Sequence, residues 1–76
     1  MSAEAGVKKR SVVIAGHRTS VSLESAFWDA LKAEASAENC SLAALVARID
    51  AERGPANLSS ALRVFALTRA RARAKP

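Results

Sequence analysis

Arg18, Ser20 and Ser22 stand two residues apart in the run Arg18-Thr19-Ser20-Val21-Ser22-Leu23-Glu24. Side chains of an extended strand alternate between its faces, so this spacing puts a guanidinium and two hydroxyls on one face and Thr19, Val21 and Leu23 on the other. A guanidinium can donate two parallel hydrogen bonds and a hydroxyl can donate or accept, which is chemistry for recognising polar edges. Groups for breaking bonds are scarce: the chain has one His, His17, one Cys, Cys40, and no Tyr. No glycine-rich phosphate loop accompanies them, so an enzyme is not expected. One Cys and one His also fall short of a four-ligand zinc site and cannot form an intrachain disulfide; neither a metal nor any other cofactor is implied.

The strand that positions the three polar residues runs directly into an amphipathic helix, and the other apolar segments read mainly as helices. It has no obvious partner in its own chain, yet its backbone groups must be satisfied. A chain of 76 residues also buries a smaller fraction of its surface than larger domains do and gains from oligomerisation. A second copy answers both needs through an antiparallel two-chain ribbon, with Thr19, Val21 and Leu23 against the helices and Arg18, Ser20 and Ser22 on the open face. Upstream, Ser11-Val12-Val13-Ile14 is β-branched and strand-like, but an unbroken strand would set Val12 and Ile14 on the face of Ser20 and Ser22. Gly16 resolves the conflict either as a bulge near Ala15-Gly16 or as a turn that makes a hairpin, and both stay open.

Three helices are expected. The first runs from Glu24 or Ser25 to Glu38, with Phe27, Ala30, Leu31 and Ala35 at helical spacing and Asn39 at its end. The second runs from Leu42 to Arg53, with Ser41 as N-cap and Gly54-Pro55 as its stop. The third is capped by Asn57, carries Leu58, Ala61, Leu62 and Phe65 on one stripe, and reaches Ala70 or Ala72. The expected organisation is a disordered basic arm over residues 1–10, an ordered domain over 11–70 and a basic tail over 71–76.

Net charge is +5, and its distribution decides which surface attracts which partner. Lys8, Lys9, Arg10 and Arg18 lie toward one end, Arg63, Arg69, Arg71, Arg73 and Lys75 toward the other, and acids outnumber bases between them. A basic, polar ribbon face points to DNA. No apolar run is long enough to span a membrane, no signal-peptide pattern opens the chain, and the single thiol fits a reducing interior, so a cytoplasmic protein is expected. Other features take ordinary roles: His17 on a turn or surface, Trp28 in packing near a dimer interface, Cys40 as a turn residue, and the C-terminal arginines as a frayed, solvated tail.

Strand, helix, tight Asn-containing turn and helix beginning at Ser41: this order resembles the ribbon-helix-helix DNA-binding proteins of the Arc and MetJ type over about Arg18 to Arg53. The segment from Lys9 to Glu24, with Phe27-Trp28, Leu31, Ser41-Leu42, Ile49 and Asn57-Leu58-Ser59-Ser60-Ala61-Leu62-Arg63-Val64-Phe65, looks like a bacterial subgroup bearing an additional C-terminal helix. The resemblance implies a mainly α ribbon-helix-helix homodimer, its intermolecular antiparallel β-ribbon lying in the major groove of double-stranded DNA as a transcriptional regulator or repressor. It assigns Arg18, Ser20 and Ser22 to base edges and Ser41, Leu42 and Ala43, at a helix N-terminus, to phosphate. Lys8, Lys9 and Arg10 would add phosphate contacts. Many members carry long side chains at all the reading positions. Two serines here imply weak specificity, compensated by a second dimer alongside on the DNA. The alternative is an antitoxin-like interaction module that clasps a partner protein through the third helix and tail.

Overall fold

The computed structural model describes residues 6–74. Strand β1 (Val7–Ile14) and strand β2 (His17–Glu24) are followed by helices α1 (Ser25–Ala37), α2 (Leu42–Glu52) and α3 (Leu58–Ala74). The two strands pair antiparallel, with Ile14 opposite His17, Ser11 opposite Ser20 and Val7 opposite Glu24. The Arg18–Glu24 strand therefore has a partner along one edge within its own chain. Between the two alternatives at Ala15-Gly16 the structure has the hairpin. Both residues take positive φ, 51° and 84°, the requirement of a type I′ turn, whose twist matches that of the flanking strands. Asn-Gly is the strongest sequence signal for such a turn, and Ala in the first position concealed it.

The hairpin also settles the register conflict. Crossing a two-residue turn sets Val12 opposite Thr19 and Ile14 opposite His17, and directly opposed residues share a face. Val12, Ile14, Val21 and Leu23 are accordingly buried together with Leu31, Ala35, Leu45, Val46, Ile49, Leu62 and Ala66 in one core. Leu23, Leu31, Leu45 and Leu62 are completely covered, each stabilising the fold by roughly 1.5–3 kcal/mol relative to an exposed position. β1 begins at Val7, so Lys8, Lys9 and Arg10, which sequence reasoning puts in an unstructured arm, belong to the sheet. Residues 1–5 of that arm lie outside the described residues.

Local signals end each helix. At the end of α1, Asn39 takes φ 57°; its N–H donates to Ser36 O at 3.1 Å and that of Cys40 to Ala35 O at 3.0 Å. This pair of bonds is a Schellman motif, which turns the chain within a few residues and packs half-buried Cys40 against the core. Ser41 caps α2, its Oγ accepting from Ala44 N–H at 3.0 Å. Asn57 caps α3, its Oδ1 accepting from Ser60 N–H at 2.8 Å. Helix α3 continues through Ala74, so Arg71 and Arg73, placed with the tail by sequence, are helical; Lys75 and Pro76 lie outside the described residues.

Candidate nucleic-acid interface

Alternation along β2 is as the sequence implies. Val21 and Leu23 are buried and Thr19 half-buried, whereas Arg18 and Ser20 are exposed. Ser22 is half-buried at the end where α3 meets the strand: its N–H donates to Ser59 Oγ at 3.0 Å and its C=O accepts from Arg63 Nη2 at 2.9 Å. Intrachain pairing adds residues that the lone-strand reading missed. Across the register, Lys9 faces Ser22, Ser11 faces Ser20 and Val13 faces Arg18, so the open face carries Lys9, Ser11, Arg18 and Ser20 as exposed hydrogen-bonding side chains. The signal for Lys9 and Ser11 was their parity with Arg18 across a two-residue turn, legible only once the turn is assigned.

The three basic residues of β1 separate by face. Lys9 shares the open face with Arg18, whereas Arg10 lies opposite Val21 and Lys8 opposite Leu23. Arg10 turns toward the helices: Nη2 donates to Ser25 Oγ at 3.0 Å, and the guanidinium sits 5.0 Å from the centre of the Trp28 ring. A cation over an aromatic face is attracted by the ring quadrupole, so Trp28 is a packing residue that holds Arg10. Arg10 is thus engaged inside the fold and is not presented with Lys9.

The acids in the middle of the chain restrain the C-terminal cations. Arg63 Nε bonds Glu24 Oε1 at 3.1 Å. Arg69 lies 3.3 Å from both Glu34 and Glu38, and Arg73 also pairs with Glu34. Arg48 holds Glu38 at 2.8 Å, Arg53 pairs with Asp50, and Lys32 approaches Asp29 at 3.8 Å. Among the described residues, the cations left without a carboxylate partner are Lys8, Lys9, Arg10, Arg18 and Arg71. All but Arg71 belong to the hairpin. The solvated arginine tail expected from sequence is, at Arg69 and Arg73, an ion-paired helix face. Removing those charges from play concentrates the available positive field on the sheet.

The carboxyl of Glu24 is held below its ordinary value by its own backbone N–H and then by Arg63. That of Glu38 is lowered chiefly by Arg48. At the start of α2, Ser41 and Ala43 are exposed and Leu42 half-buried. Ser41 Oγ serves the Ala44 N–H. The Leu42 and Ala43 N–H groups belong to the first turn, where a helix has no internal acceptor for them; among the described residues no hydrogen bond takes them. They remain available for an anion. His17 is exposed beside the turn, and no helix among the described residues is long and apolar enough to cross a membrane.

The chain matches the family model described as Ribbon-helix-helix domain over residues 7–70. No curated protein and no solved structure matches it. The matched span runs from the first residue of β1 into the second half of α3. It thus takes in the hairpin, both helices of the motif and most of the third, and the chain belongs to the ribbon-helix-helix family.

Proposed function

We propose that this protein is a DNA-binding regulator of transcription that acts as a homodimer, binds rather than catalyses, and addresses the duplex with the open face of its hairpin. One observation carries the reading: among the described residues, ion pairing leaves every cation without a carboxylate partner except Arg71 on the hairpin, where Lys9 and Arg18 share a face with Ser11 and Ser20. Two antiparallel strands are of the size the major groove admits. Arg18 is the long donor suited to two guanine acceptors, Ser20 and Ser11 are short donors or acceptors, and Ser22 marks the end of the contact where α3 begins to cover the sheet. The α2 N-terminus at Ser41, Leu42 and Ala43 offers backbone donors to phosphate, and Lys8 and Lys9 add charge.

With one Arg among mostly short side chains, the reading predicts modest base selectivity and strong electrostatics, and repression would gain from a second dimer bound alongside. A fluorescence-anisotropy titration of a labelled duplex at two salt concentrations tests it. Binding that weakens steeply with salt is expected, and failure to bind any duplex at low salt overturns it.

A protein-interaction role has one specific observation in its favour. Val64 and Leu67 are 63% and 50% exposed on α3, beside a groove lined by Ile49, Ala56, Ala61 and Phe65. A partner docking there would leave the hairpin free, so Val64→Glu should not change duplex affinity if the sheet alone carries DNA binding.

A further inference from the structure

Helix α3 has a second stripe that the fold does not use. Ser60, Val64, Leu67 and Arg71 recur at intervals of four, three and four, the spacing that gathers side chains on one helical face, and all four are exposed. Leu62 and Ala66, which α3 gives to the core, fall on the far side of the same helix. Ser60 and Val64 also line the groove between α3 and the end of α2, opposite Ile49 and Glu52. Two charges on these surfaces have no use within the chain. Among the described residues, Glu52 is the carboxylate with no cation at ion-pair distance, and Arg71 is the matching cation outside the hairpin. The arginines near Glu52 are already committed, Arg48 to Glu38 and Arg53 to Asp50. The groove thus sets a negative charge beside an apolar wall, and the stripe follows two apolar side chains with a positive one.

We propose that this stripe is where one dimer meets the next, α3 of one chain packing antiparallel on α3 of a chain in a neighbouring dimer, with Arg71 of each reaching Glu52 of the other. The proposal rests on the homodimer reading above and supplies the contact for a second dimer bound alongside. At a two-fold contact residue i meets j and j meets i, so the surface must complement itself. An axis midway between Val64 and Leu67 meets that condition. Val64 then packs on the partner's Leu67, and Ser60 lies under the partner's Arg71. The small Ser60 side chain leaves the guanidinium a path to Glu52, with which Ser60 shares the groove. Each contact forms two such ion pairs. A parallel arrangement would instead bring Arg71 against Arg71, and like charges set together oppose association. The apolar area offered by Val64 and Leu67 is small for a stable interface. The contact is therefore weak between free dimers and takes effect when a duplex holds two of them side by side.

Sedimentation equilibrium on the full chain at low salt, without DNA, tests the contact. The wild type should have the mass of two chains when dilute and move toward four as its concentration approaches roughly 1 mM, the range in which a shared duplex would hold neighbours. Glu52→Arg and Arg71→Glu should each weaken the step from two to four by roughly tenfold, because both ion pairs become like-charge pairs. Carrying both substitutions in one chain should restore it. Val64→Glu should abolish it. All these positions are exposed, so helical circular dichroism and the two-chain mass should be unchanged in every variant. A wild type that stays at two chains throughout overturns the α3 contact and leaves the homodimer standing. So does association that survives Val64→Glu, or single exchanges that the double exchange fails to repair. If Val64→Glu reduces two chains to one, α3 lies inside the dimer and the assignment to neighbouring dimers is overturned. A wild type with the mass of one chain at every concentration overturns both readings. Affinity for a duplex with room for one dimer does not involve this contact and bears on the DNA reading alone.

Discussion

Ala15 carries a conformational cost that its side chain does nothing to offset. Its φ of 51° brings Cβ close to the following carbonyl oxygen, a clash worth roughly 1–2 kcal/mol for an L-residue. Asn visits this region more readily through local hydrogen bonding, and Asn-Gly is the preferred I′ pair. Ala15→Asn should therefore raise stability by about 0.5–1 kcal/mol, seen as a higher denaturant midpoint at unchanged slope. A lower midpoint would mean that the hairpin is not closed by this turn. On the proposed reading, base selectivity turns on Arg18. A good bidentate contact discriminates by about 1–3 kcal/mol. Selection of sites from random duplexes with Arg18→Ala should accordingly lose one preferred base at a mirrored pair of positions. An unchanged motif would remove Arg18 from the reading set and leave it a phosphate contact.

Helix α3 is held at both ends by charge. Near its start, Arg63 bonds Glu24 and the Ser22 carbonyl; near its end, Arg69 and Arg73, one turn apart, converge on Glu34, whose side chain is 7% exposed. Capping residues and apolar stripes made the helices legible in the sequence, because each signal is local: Ser41, Asn57 and Asn39 act on backbone groups within a few residues. The clasp was not legible. It depends on which face α3 presents to α1, and charge spacing alone reads equally well as a solvated tail. Glu34→Gln should loosen the end of α3 and cost about 1–3 kcal/mol, since it leaves Arg73 without a carboxylate and Arg69 with Glu38 alone, while both guanidinium groups stay partly solvated. Hydrogen exchange should show Arg69 to Ala74 losing protection ahead of Leu58 to Phe65. The start of the helix responds to acid. Because the folded Glu24 carboxyl lies below its ordinary value of 4.5, its contribution is complete above that value and is lost as pH falls through the lower folded one. Arg63→Met should flatten this part of the acid dependence.

At the scale of the whole molecule, net charge understates the polarity of the surface. The chain carries +5, but pairing of Arg48, Arg53, Arg63, Arg69 and Arg73 with acids of α1, α2 and the end of β2 makes the helical side nearly self-neutralising. Lys8, Lys9 and Arg18 remain on the hairpin as exposed cations, Arg10 being held over Trp28. Each phosphate neutralised contributes a slope of about −0.9 to the logarithm of affinity against the logarithm of salt. With Arg18 on base edges, a single hairpin engaging phosphate through Lys8 and Lys9 should give a slope of about −2, and a dimer engaging both hairpins one of about −4. Lys9→Ala in the dimer should make the slope shallower by roughly 2, one unit for each chain. Arg71→Ala removes an unpaired cation of the same sign from α3 and should leave the slope as it was. Equal effects of the two substitutions would show that duplex is drawn to the protein's overall charge, with no surface preferred, and the hairpin would lose its claim to the contact.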